Sequence, residues 1–163
     1  MRVVSGIVTT SVSTTPEYPV GETFMVSQST ADEPAQVWTY VKAGVELTAG
    51  LVAMKASGSG TCSGVVLASN TSHALGVCPR TRVVGVAQHT IALNSYGFIL
   101  SRGVGVIKAG DAGTDQLDDP LVVDNTNGEV DLVDTAQESG IIALGLAAGT
   151  GDEVNFAAFI DCL

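Results

Sequence analysis

An all-β fold, a small antiparallel β-barrel or sandwich carrying an extended N-terminal arm, is predicted by three features of this chain. Apolar residues come in short runs that alternate with polar ones, the period-two pattern of half-buried strands. The runs are separated by glycine- and asparagine-containing corners at close spacing, as small barrels and sandwiches require. Helical periodicity is confined to Thr135-Ala136-Gln137-Glu138, enough for one turn. The expected organisation is an arm over residues 1–20 and one β-rich domain over 21–163.

The arm is rich in Ser and Thr, and Pro16 and Pro19 exclude a central strand or a helix there. Thr23-Phe24-Met25-Val26 is a short apolar strand, followed by a polar loop. In residues 36–41, Val37, Thr39 and Val41 alternate with Trp38 and Tyr40, so both faces of that strand are expected to be at least partly covered. The segment from Lys42 through Gly44-Val45 to Ala49-Gly50 resembles the later one from Arg102 through Gly103-Val104 to Ala109-Gly110, one strand-turn device used twice. Residues 55–64 form a Gly/Ser loop by composition. Val65-Val66-Leu67 and Ala74-Leu75-Gly76-Val77 are strand candidates around a polar loop.

Residues 82–111 carry the clearest strand pattern. Ile91 and Leu93 alternate with Thr90 and Ala92, Asn94-Ser95-Tyr96-Gly97 suits a tight reversal, and Phe98-Ile99-Leu100 resumes the apolar run, which reads as a hairpin. Further on, Asn127-Gly128 lies between Leu121-Val122-Val123 and Val130-Asp131-Leu132-Val133, the strongest short hairpin signal in the chain. Residues 140–147 and 154–160 make a last pair of strands.

Charge is sparse and unevenly placed. Charged residues make up 15% of the chain and the net charge is −10, against the ~25% charged share of ordinary domains; a surface this poor in charge suits one covered by other subunits. All seven basic residues fall in residues 1–108, which net +2, whereas residues 109–163 hold twelve acids and no base. A half without a cation is a poor partner for phosphate, so nucleic acid is not expected. No run approaches the roughly 18 apolar residues of a membrane helix, so no membrane partner is expected. The start breaks into Ser and Thr too early for a secretory signal.

Few residues invite chemistry. Cys62, Cys78 and Cys162 are odd in number and without CxxC spacing, so neither a disulfide framework nor a zinc site is signalled, and thiols in a reducing compartment are expected. Asn70-Thr71-Ser72 fits a glycosylation acceptor but reads as a plain loop. Aligning Gly128 with the glycine of a calcium loop puts Val123 at the first ligand position, which favours a hairpin turn. His89, Asp111 and a serine could be drawn as a triad, yet the Gly110-Asp111-Ala112-Gly113 stretch lacks a nucleophilic hydroxyl. His89 is expected to be structural, and His73 lacks neighbours at metal-ligand spacing. No catalytic, cofactor-binding or metal residues are expected, and no cofactor; the chain is not expected to be an enzyme.

With these residues laid out, the second half resembles the head decoration (capsid cement, or stabilising) proteins of tailed bacteriophages. The resemblance rests on Val84-Gly85-Val86-Ala87-Gln88 entering a strand, on Gly97, Gly103-Val104 and Ala109-Gly110-Asp111 before an acidic loop, and on Ile142-Ala143-Leu144-Gly145-Leu146-Ala147 before the final strand; it covers roughly residues 42–163. It implies a β-rich structural virion protein, commonly trimeric, bound to the major capsid protein on the outer surface of a phage shell and stabilising it without catalysis. Cys62, Cys78 and the Ser/Thr/Pro arm depart from that pattern. The alternative is a small β-barrel binding module of a virion fibre or a host-surface saccharide receptor, for which Trp38, Tyr40 and Tyr96 are the candidate aromatics.

Low charge and the apolar runs at 98–100 and 155–160 suggest a homo-oligomer. In the arm, Val3, Val4, Ile7, Val8 and Val12 are the candidate capsid contacts, since an extended segment can add hydrogen bonds to a neighbour's strand edge while alternate valines fill shallow pockets. The N-terminal half is then expected to face the shell and the acidic hairpin at Asn127-Gly128 to face solvent.

Overall fold

The structure, a computed structural model, describes residues 2–3, 7–27, 35–56, 58, 60–69, 80–110, 118–123, 127–132, 141–146 and 154–163. The strand candidate at 74–77, with His73, Cys78 and Asp111, lies outside them. The fold is all-β, as the alternation and the turn spacing predict. The strands are β1 (Arg2–Val3), β2 (Thr23–Val26), β3 (Gln36–Ala43), β4 (Val52–Met54), β5 (Ser63–Leu67), β6 (Val83–Val86), β7 (Tyr96–Lys108), β8 (Pro120–Val123), β9 (Val130–Leu132), β10 (Ala143–Gly145) and β11 (Asn155–Asp161).

Five of them close into a barrel in the order β3-β5-β4-β6-β7 and back to β3. Only the β3–β5 contact is parallel; the long seam pairs β3 with β7, Trp38 with Leu100 through to Lys42 with Tyr96. A five-stranded barrel is narrow, and its lumen is filled by side chains instead of a channel. Val41, Ala43, Ala53, Val65, Val84 and Ile99 point inward and pack together, and Leu47, Ala87 and Ile91 join them. Three alanines among these fit the restricted width. One polar chain crosses the lumen: Thr39 Oγ1 lies 2.5 Å from Ser101 Oγ, which donates to the carbonyl of Val84 at 2.7 Å. Because the Ser101 hydrogen is used on Val84, Thr39 is the donor in the first bond, and every hydroxyl hydrogen is satisfied.

The outward residues of the same strands are buried as well. Phe24, Tyr40 and Phe98 pack with Tyr18 in a cluster with ring centroids 4.9–5.6 Å apart, largely edge-to-face or tilted, as aromatic quadrupoles favour. The cluster explains the course of residues 7–20. Ile7, Tyr18 and Val20 pack against the core, the Glu17 amide donates to the Tyr40 hydroxyl, and Ser13 bridges Tyr96. The two prolines keep this stretch out of the sheet, as their missing donors require, but it lies on the barrel.

β7 differs from the expected hairpin. It runs unbroken for 13 residues, and Ile91 bridges Leu47 instead of pairing with residues 98–100. Asn94 supplies the turn, with φ 63°, but the antiparallel partner across it is β6, through Val86 and Leu100. Past Arg102 the strand leaves the barrel. Gly103, at φ +123°, makes the bend; a Cβ there would be strained and 3.0 Å from Gln36 Cγ. Beyond the bend the edge of β7 is capped by amides: Gln36 donates to Val104 O, while Gln88 both donates to Val106 O and accepts from Val106 N at 2.8–2.9 Å. Gln88 thus does the work of a neighbouring strand and closes an edge that would otherwise be open.

The second half of β7 starts a further sheet, β7-β11-β10-β8-β9, that curls until Val130 bridges Ala109 and accepts from the Gly110 amide. Ile107, Leu121, Val130, Phe156, Ala158 and Ile160 fill its concave side. The Asn127-Gly128 turn forms as predicted, both residues at positive φ; Asn127 is exposed, but the residue after it is not. Gly128 is buried; its amide donates to Ala68 O and its carbonyl accepts from Val52 N at 2.7 Å. A Cβ on Gly128 would stand 2.6 Å from Val52 O, so the turn presses on the barrel where only glycine fits. Beside it Glu129 pairs with Lys108 at 2.9 Å, largely out of water.

Candidate functional site

Among the described residues no three His, Cys, Asp or Glu side chains gather as a metal would require. His89 follows β6 with both ring nitrogens buried and without hydrogen-bond partners, and burial holds its pKa below the ordinary histidine value.

A concavity of about 430 Å³ lies where Thr39 and Val84 of the barrel approach the C-terminal residues Cys162 and Leu163. Cys62 and Cys162, one hundred positions apart in sequence, both line it, and no local spacing could have announced that. Burial pushes the Cys62 thiol up in pKa, with Lys55 acting against it, so this thiol is a poor nucleophile at neutral pH. Arg80 at the rim is engaged by Asp161 at 3.2 Å and by the Leu163 carbonyl.

The exposed apolar side chains fall mainly in two areas. One is the N-terminal segment, where Val8 and Val12 are 64% and 41% exposed; Leu93, in the loop before β7, is 56% exposed. Of the five arm residues singled out from sequence, Val8 and Val12 are therefore open, whereas Ile7 packs against the core. Val3 contributes its backbone to β1, paired in parallel with Met25 of β2, and Val4 lies outside the described residues.

The second area is the convex face of the curled sheet. Cross-strand register places Val104, Phe159, Leu144 and Pro120 in one row, and Val106 beside Ala157 in the next; the Leu146 amide donates to Ala157 O, which extends this second row. Val104, Val106, Leu144 and Leu146 are each exposed. The sequence-based expectation of apolar surface at 98–100 and 155–160 is corrected in detail. Residues 98–100 are buried in the barrel, and of 155–160 only the alternate residues Ala157 and Phe159 face outward among the apolar ones.

The aromatics named for a saccharide platform are also relocated. Trp38 and Tyr40 are buried, and Tyr96 is half-buried, stacked on Tyr40 with centroids 6.1 Å apart. Burial raises the Tyr40 hydroxyl pKa.

No protein-family model and no curated protein sequence matches the chain. Its fold is similar to the solved structure of the N base of the head fiber gp8.5 of bacteriophage phi29, with a TM-score of 0.54 at 12% identity, over 78% of this chain and 95% of that one.

Proposed function

We propose that this chain is a structural virion protein of a tailed bacteriophage, bound to the major capsid protein on the outer surface of the head and stabilising the shell as a homotrimer. The observation that carries this reading is the likeness to the phi29 head fiber base, which extends over nearly all of that domain. The resemblance of residues 42–163 to decoration proteins points the same way. An all-β body with exposed apolar side chains at Val8 and Val12 and on the convex face of the curled sheet suits a subunit with two neighbours, a shell and another copy. In this reading the protein catalyses nothing and needs no cofactor.

The Val8/Val12 side is assigned to the shell, because all seven basic residues lie in residues 1–108 while the acidic remainder would be repelled by an acidic shell exterior. The fibre-base likeness also favours a second reading, a module at the foot of a virion fibre. A saccharide-binding role loses its stacking platform with Trp38 and Tyr40 inside.

Co-sedimentation of the purified chain with shells of the cognate capsid protein tests the proposal. Saturable binding and a raised shell melting temperature are expected, with the Val8→Asp/Val12→Asp variant folded but unbound. No binding of the folded wild type, or binding by the double variant equal to wild type, overturns it.

A further inference from the structure

We infer that the convex face of the curled sheet is the surface through which copies of this chain associate, with the Val104/Val106 ridge of one copy seated against the hollow beside Phe159 of the next. The inference rests on the reading that the protein works as an oligomer and names the face that makes it one. The face is a continuous one in register, not scattered residues: the Val104-Phe159-Leu144-Pro120 row spans four strands, ~15–20 Å across at the usual strand spacing. A patch of that width supplies the apolar centre of an interface, and the surrounding polar side chains supply the rim.

Charge selects the occupant. The chain carries a net charge of −10, so two copies repel over most of their surfaces. The two central rows hold no ionisable side chain. At one end of the face stand Arg102 and Arg80 with Asp161; at the other Lys108 is paired with Glu129; Asp118 and Asp119 flank the β8 side. Among the described residues at these edges three cations stand against four carboxylates, a balance far from that of the whole chain, so identical acidic subunits repel least across this face.

Shape indicates the manner of contact. A hollow of about 200 Å³ lies on the β10 side, walled by Ile141, Ile142, Ala143, Leu144 and Phe159. The Arg80–Asp161 ion pair stands at its rim. The ridge of Val104 and Val106 lies two strands away on β7. Ridge and hollow are different parts of one face, so a contact between them is heterologous, and heterologous contacts extend into rings instead of stopping at two copies.

Sedimentation velocity on the full chain, with Val106→Lys on the ridge and Leu144→Lys at the hollow, tests this. Both residues are exposed, so circular dichroism and melting should stay at wild-type values. The wild type is expected as a closed oligomer and each variant as a 16.6 kDa monomer. An equimolar mixture of the two variants should recover a dimer, because one intact ridge and one intact hollow remain. A monomeric wild type at ~100 μM, a concentration that would populate even a weak specific interface, overturns the inference, as do variants that assemble normally or a mixture that stays monomeric. Shell co-sedimentation of the same samples separates the two readings: assembly without shell binding removes the head-protein reading and leaves the face, while shell binding by a monomeric wild type does the reverse.

Discussion

Strands β3 and β11 carry the same alternation of side chains and end in different surroundings. In β3, Val37, Thr39, Val41 and Ala43 line one buried face while Trp38 and Tyr40 on the other are also buried, beneath β2 and the N-terminal segment. In β11, Phe156, Ala158 and Ile160 are buried, whereas Ala157 remains exposed and Phe159 half-buried. Period two tells which side chains share a face; it does not tell whether the opposite face will be covered. The barrel strands are covered on both sides, and the curled sheet leaves one side exposed.

The largest expected effect lies where the two regions join. Gly128→Ala places a Cβ at positive φ, 2.6 Å from a backbone oxygen of the barrel, and should cost about 3 kcal/mol. At ~2–4 °C per kcal/mol for a chain of this size, the melting temperature should fall by roughly 10 °C. A change below ~1 kcal/mol in urea melts, the size of an ordinary surface substitution, would mean that the turn does not clamp sheet to barrel.

The faces themselves come next. Ile99→Ala in the barrel lumen should lose about 2–5 kcal/mol, whereas Val106→Ser on the convex face should stay within ~0.5 kcal/mol in the separated subunit. Equal losses in denaturant titrations would remove the distinction between a doubly covered barrel and a singly covered sheet. Within the lumen, Ser101→Ala leaves Thr39 and the Val84 carbonyl without their partner and should cost about 1–3 kcal/mol. Adding Thr39→Val should cost less than the two single changes combined, because it removes a hydroxyl already stranded; additivity in a double-mutant cycle would mean that the two hydroxyls are not coupled.

The smallest effect concerns His89. Its folded-state pKa is depressed by burial, so above the unfolded value of ~6.5 both states are neutral and the group contributes no pH dependence. As pH falls through that value the unfolded chain takes up the proton first, and stability declines until the folded-state pKa is reached. His89→Gln should flatten this part of the stability curve between pH 7.5 and 5.5. An unchanged slope in paired urea titrations would show that the imidazole is solvated in the native protein.

Much of the architecture was legible because it is written locally. β2 occupies the four residues its apolar run marks, both faces of β3 are covered as its alternation suggests, and Asn127-Gly128 turns between β8 and β9. What local pattern cannot carry is long-range pairing: the β3–β7 seam and the parallel β3–β5 contact that close the barrel join distant segments. Within the continuous β7, Gly103 bends the strand and Gly105 lets it pass Leu100 and Gln88, whose atoms a Cβ on Gly105 would meet within 2.8 Å. In the arm Ile7, Tyr18 and Val20 pack against the core, a long-range contact that the Ser/Thr/Pro composition does not announce. Of the candidate contacts whose side chains are described, Val8 and Val12 are exposed and Ile7 is packed, and the convex face required the register of four strands before it could be seen.

The proposed position of this chain on a phage head is open to a direct test, a cryo-electron microscopy reconstruction of cognate shells incubated with the purified protein. Added density is expected on the outer surface, in clusters related by threefold symmetry, with the Val8/Val12 side against the shell and the convex faces against one another. Shells that remain bare, density on the inner surface, or subunits docked with the convex face on the shell would contradict it.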